Sequence, residues 1–108
     1  MSIKKNRINK KKDFEKIFKN GKSSKGSFLV LRFLENEIKI NRFAFVVSKK
    51  VSTKSVVRNK IRRRLSESVK DFVDEKNNTM DFIFIALPKI KAKNFWEIKE
   101  EVKSLLKK

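Results

Sequence analysis

Apolar positions recur at two spacings along this chain: every second residue in three short runs, and every third to fourth residue in three others. Phe14, Ile17 and Phe18 stand at i, i+3 and i+4, which predicts a short helix stopped by Gly21. Residues 22–26 (KSSKG) show no alternation and read as a loop. Phe28–Leu34 (FLVLRFL) predicts a strand with Leu29, Leu31 and Phe33 on one face and Phe28, Val30, Arg32 and Leu34 on the other. Asn36 and Asn41 flank a segment expected to return the chain as a hairpin or ragged meander. Phe43–Ser48 (FAFVVS) is then a second strand, its Phe43, Phe45 and Val47 opposed to Ala44, Val46 and Ser48. Asp81–Leu87 (DFIFIAL) is nearly all apolar, as a well-buried strand is, and Pro88 stops it.

The helical spacing returns from about Val56 to Glu75, where Val57, Ile61, Leu65, Val69, Phe72 and Val73 form an apolar stripe. A last helix is expected from about Phe95 to Lys107. Asn94 is placed to cap it with Glu97 in a capping box, and Phe95, Ile98, Val102, Leu105 and Leu106 form its buried stripe. Trp96 lies off that stripe and is expected to pack on a neighbouring loop. The order α-β-β-α-β-α predicts an α+β sandwich with helices laid on a small sheet. At 108 residues it makes one domain.

Composition adds the chemistry. Thirty Lys and Arg against 12 Asp and Glu give a formal charge of +18, which calls for an anionic partner. Such a charge on a whole domain is the electrostatic footprint of a nucleic-acid binder. Ten Phe among 39% hydrophobic residues are enough for a core, so the chain is expected to fold. There is no Cys, hence no disulfide, thiolate nucleophile or zinc-thiolate site. There is no His, the commonest general base and metal ligand, and no paired-carboxylate spacing stands out. The apolar runs are strand-sized and no signal-peptide stretch is present, so the expected location is cytoplasmic, with no membrane partner. Residues 1–12 hold six basic residues and no acid, and read as a solvated, partly disordered basic arm.

The charge is concentrated in Lys49–Arg64 (KKVSTKSVVRNKIRRR), with eight basic residues, no acid and four of the seven Arg. Arg suits forked phosphate contacts. These residues fill the first half of the long helix, whose dipole already makes that end positive, while Glu67, Asp71, Asp74 and Glu75 fall in the second half. Both halves oppose local stability, which is the mark of a functional constraint. A helix start crowded with Arg is suited to phosphate. On a helical wheel Asn59, Lys60 and Arg63 point away from the apolar stripe, and Arg62 and Arg64 flank it. Phe14 and Phe18 fit either a core or a surface on which bases stack, and the face of Phe28, Val30 and Arg32 has the same two readings.

Arg58-Asn59-Lys60-Ile61-Arg62-Arg63, preceded by Ser48-Lys49-Lys50-Val51, resembles the signature of the protein subunit of bacterial ribonuclease P. Arg7-Ile8 and Asp13 to Gly21 are similar to the family's opening helix, and the likeness continues through Asp81–Ala86 to the last helix, over roughly residues 6–107. The resemblance implies a fold shared with a domain of ribosomal protein S5, containing a left-handed β-α-β crossover. It implies a subunit of an endoribonuclease whose RNA is the catalyst, using Mg²⁺ to remove the 5′ leader of precursor tRNA. No catalytic residue, protein-held metal or obligate protein partner is then expected in this chain. Carried over by position, Arg58, Asn59, Lys60, Arg62 and Arg63, with Lys49 and Lys50, would contact the RNA subunit. Phe14 and Phe18 would line the leader cleft, bordered by Lys19 and Ser48. The chain departs from the pattern at Lys60 and at Leu87, each where Arg is usual, and in a longer Val51–Val57 loop without Gly.

Other readings fit less of the chain. A ribosomal or general RNA-binding protein matches the charge and size but not the paired motifs. A helix-turn-helix DNA module is disfavoured by the strands around the basic helix, and a membrane-surface protein by stripes that read as core faces.

Overall fold

The computed structural model describes residues 6–72 and 79–107. In chain order they form α1 (Lys11–Asn20), β1 (Lys22–Lys25), β2 (Leu29–Glu35), β3 (Arg42–Val46) and α2 (Ser55–Ser68). A 3₁₀ turn at Lys70–Phe72, β4 (Met80–Ala86), a second 3₁₀ turn at Pro88–Ala92 and α3 (Phe95–Leu106) complete the described chain. The strands make one sheet in the order β1-β2-β4-β3. β4 is antiparallel to β2 and parallel to β3, so β3, α2 and β4 form the crossover unit that the family resemblance implies. No helix among the described residues is long and apolar enough to cross a membrane.

Two cores lie on the two sheet faces. The larger gathers Leu29, Leu31, Phe43, Val47 and Phe84 against Ile61, Leu65 and Val69 of the α2 region and Ile98, Val102 and Leu105 of α3. Register contributes to it: Phe43 is level with Phe82 and Phe45 with Phe84, and the rings stack at 5.3 and 6.1 Å. The smaller core sets Ile8 and Ile17 against Ala44 and Ile83, with Phe14, Leu34, Val46 and Ile85 at its margin. Small Ala44 opposite large Phe43 and Phe45 lets α1 approach this second face closely.

The alternating faces of β2 and β3 and the stripes of α2 and α3 are as the periodicity predicts, apart from Phe95, which stands outside the core with its ring 5.4 Å from that of Trp96, and the capping box forms at Asn94 and Glu97. Five expectations are corrected. Lys22–Lys25 is an edge strand on β2, held by backbone pairing that needs no apolar pattern. The Asn36–Asn41 segment is no hairpin, because β4 separates β2 from β3. Phe28 belongs to the larger core rather than the Val30 face: Glu101 of α3 accepts the Ser27 and Phe28 N–H groups at 2.8 and 2.9 Å and turns the chain inward. The long helix ends at Ser68, whose hydroxyl donates to the Arg64 carbonyl at 2.7 Å, and tightens into the 3₁₀ turn that carries Phe72 to the core. Val73, Asp74 and Glu75 lie outside the described residues. Trp96 packs under no loop; it is 68% exposed.

The second half of the basic arm is built into the fold. Arg7 bridges Phe43 in parallel, the Ile8 N–H donates to the Phe43 carbonyl at 3.0 Å, and Asn6 and Ile8 are buried. Asn6 donates to the Asn41 carbonyl at 2.8 Å. The Asn41 side chain in turn donates to the Phe72 carbonyl and accepts from Met80 N–H, tying four segments together.

Candidate nucleic-acid interface

α2 presents its charge as the helical wheel requires. Asn59, Lys60 and Arg63 are exposed, and Arg58, Arg62 and Arg64 are half-buried beside the stripe. No side chain caps the helix at Lys54 and no acid stands in the first turn, so its leading N–H groups and their partial positive charge face outward. Among the described residues, no ion pair engages α2 before Glu67. Arg58 and Arg64 also have structural partners: Arg58 donates to the Ser52 carbonyl at 3.0 Å, fixing the helix entry, and Arg64 donates to the Lys93 carbonyl at 3.1 Å. Arg62 donates to Asn59 Oδ1. Ser48, Lys49 and Lys50 form an exposed turn closed by Val51 N–H on the Ser48 carbonyl at 3.1 Å.

On the opposite side, α1 crosses the second sheet face and covers it incompletely. Ile17 is fully buried, whereas Val30, Val46 and Ile85 stay half-buried alongside it. Phe14 is half-buried in a recess of about 400 Å³ whose lining includes Arg7, Phe45 and Arg62. Phe18, one turn on, is 45% exposed. The Arg32 guanidinium sits 5.7 Å from the centre of the Phe18 ring and donates to the Ile17, Phe18 and Gly21 carbonyls, closing the C-terminal end of α1. Lys19 is exposed in the last turn.

The first turn of α1 is held as well. Arg42 of β3 donates to both carboxylate oxygens of Asp81 on β4, at 2.8 and 2.7 Å, and its remaining nitrogen reaches Asp13 of α1 at 3.3 Å. Hydrogen bonding to Asp81 raises the Arg42 pKa above its ordinary value, with the charges of Asp81 and Asp13 adding to it against the cost of burial. Asn36 gives Asp81 a third donor at 2.8 Å. Among the described residues no group of three or more carboxylates gathers to hold a metal ion.

The family model described as ribonuclease P matches residues 3–108. The chain belongs to the ribonuclease P protein family. Its relatives include the ribonuclease P protein component of a Thermoanaerobacter species, 39% identical over 94% of this chain and 87% of that protein. The protein component of Clostridium kluyveri is 41% identical over 94% of this chain and 92% of its own. Among solved structures, the Staphylococcus aureus RNase P protein superposes with a TM-score of 0.85 at 33% identity, covering 94% and 93% of the two chains. The Thermotoga maritima RNase P protein gives 0.83 at 30% identity, with 94% of each chain covered. The chain is thus a ribonuclease P protein component, acting in tRNA processing.

Within this ribonuclease P protein the residues predicted for the RNA subunit share one helix face and the turn before it. The pair Phe14 and Phe18 is divided: Phe14 meets Arg62, a residue predicted for the other partner, in one recess, and Phe18 meets Arg32. Sequence reading missed Arg7 and Arg42 as parts of these surfaces, and placed Arg32 on a candidate strand-binding face without its contacts to α1. Only the single cation within the apolar FLVLRFL run marked Arg32 as unusual. Nothing in the sequence ties Arg42 to Asp13 and Asp81, which meet only through the strand order.

Proposed function

We propose that this chain binds ribonuclease P RNA through the exposed face of α2 and the Ser48–Lys50 turn. It also holds the single-stranded 5′ leader of precursor tRNA between α1 and the sheet, assisting Mg²⁺-dependent endonucleolytic removal of that leader in the cytoplasm. The observation that carries this reading is the uncapped, acid-free first half of α2, adjoining through Arg62 the recess that Phe14 lines. Phosphate fits a helix start with free N–H groups and forked donors. An unpaired strand fits an incompletely covered apolar face bordered by a ring and a guanidinium. Four of the 12 acids, Asp13, Asp81, Glu97 and Glu101, are engaged by arginine or by backbone N–H groups, which supports leaving the hydrolysis to the RNA.

The test is what the chain captures. Immobilised and incubated with total cellular RNA, it is expected to retain one long structured RNA that cleaves precursor tRNA at the leader junction when Mg²⁺ is supplied. Retention of ribosome-sized RNA or of DNA, without that cleavage, overturns the proposal.

A further inference from the structure

The Asp13–Arg42–Asp81 bridge raises a question of design. Arg42 and Asp81 satisfy each other through a two-pronged contact, and Asp81 is 5% exposed, so that pair belongs to the sheet. Asp13 is different. It stands in the first turn of α1, its side chain is 22% exposed, and it meets only the spare nitrogen of a guanidinium already neutralised by Asp81. Burial does not demand it and the fold has no orphaned charge without it. What Asp13 adds is a tether between the N-terminal end of α1 and the parallel β3–β4 pair.

The other end of α1 is tethered in the same way, by Arg32 of β2 on the last carbonyls, while Ile17 alone is driven deep between them. Two arginines rooted in the sheet therefore hold the two ends of a helix that buries little of itself. Such a helix is anchored in the smaller core chiefly at Ile17, near its middle, and the polar tethers at its two ends set its tilt about that anchor. Phe14 follows Asp13 directly and Phe18 lies just over one turn further, so both rings move with the tether.

We propose that Asp13 is a positioning residue: by docking on Arg42 it sets the placement of α1 over the sheet, and through it the fit of the single-stranded leader of precursor tRNA. The inference rests on the leader reading above. Arg42→Ala is a poor test, since it leaves Asp81 buried without its partner and endangers the fold. Asp13→Ala keeps the Arg42–Asp81 pair and removes the tether together with a first-turn charge that favours the helix dipole, and Asp13→Glu restores both.

The experiment uses the holoenzyme reconstituted with its ribonuclease P RNA, and compares affinity for precursor and mature tRNA. Asp13→Ala is expected to lower the precursor-to-mature ratio by about 3- to 30-fold, a part of what stacking of the leader on the rings is worth, about 5- to 150-fold per base. Mature tRNA affinity and affinity for the RNA subunit stay at the parent's values, and Asp13→Glu recovers most of the ratio. In a Phe18→Ala background the same change has a smaller effect, because one of the two rings it positions is gone. Additive effects of Asp13→Ala and Phe18→Ala, or a ratio unchanged by Asp13→Ala while Phe18→Ala lowers it, overturn the positioning role. A ratio unmoved by Phe18→Ala and Phe14→Ala overturns the leader reading itself and leaves the tether structural.

Discussion

Phe14 and Phe18 sit one turn apart on α1 and differ in what their rings face. Phe14 is half-buried at the margin of the smaller core, and Phe18 is 45% exposed under the Arg32 guanidinium. Loss of the Phe14 ring is expected to cost about 2 kcal/mol of folding stability, short of the 3–5 kcal/mol of a fully buried ring. Phe18→Ala is expected to stay within about 1 kcal/mol of the parent, as exposed substitutions do, yet to weaken precursor tRNA selectively. Base stacking is worth about 1–3 kcal/mol, so about 5- to 150-fold of precursor preference depends on that ring. Thermal melts set beside titrations with precursor and mature tRNA separate the two effects. A Phe18 variant that melts as low as the Phe14 variant and loses both tRNAs alike would return both rings to the core.

Among the elements, α1 is the one whose ends are most constrained. Gly21 follows it with extended backbone, so a left-handed conformation is not what requires glycine there. Space is the reason: a methyl group would stand 2.4 Å from the Ile17 carbonyl oxygen and 2.8 Å from that of Phe33, both backbone atoms. Gly21→Ala must lift the end of α1 from β2, and is expected to cost about 1–3 kcal/mol, seen as a lower urea midpoint; an unchanged midpoint would show that the helix end yields freely. Periodicity made the stripes of α2 and α3 and the faces of β2 and β3 legible, because each buries one side against a neighbour. It was silent on β1, where KSSK pairs through backbone alone, and on the end of α2, where Ser68 bonds back to Arg64. The cationic face of α2 was legible because charge density and helical phase coincide. Arg42 was not, since its partners lie on other elements and nothing local betrays it, and for Arg32 the face was legible but its hold on the end of α1 was not.

On the scale of the molecule, a charge of +18 repels itself and favours association with an anion. Affinity for the RNA subunit should therefore fall with salt at a log–log slope of about −0.7 to −0.9 for each phosphate neutralised. Arg63 is exposed and engages no carboxylate among the described residues, so Arg63→Ala should flatten that slope by about one such step. Filter-binding titrations over a salt series measure both, and a slope near zero would remove the electrostatic account. The strand order has a bearing on how the molecule is made. β4, the last strand to leave the ribosome, is the one that lies between β2 and β3. Until it emerges, a nascent chain can close the β1–β2 pairing and the Arg7–Phe43 bridge, but β3 has an unfilled edge and α2 has no finished sheet to lie on. During that interval the arginine-rich helix is exposed, unsupported and already cationic, beside the RNA of the ribosome that makes it. Its first encounter with a polyanion can thus precede its own folding, and a bound RNA that favours the helical form would then act on the order in which the fold is assembled.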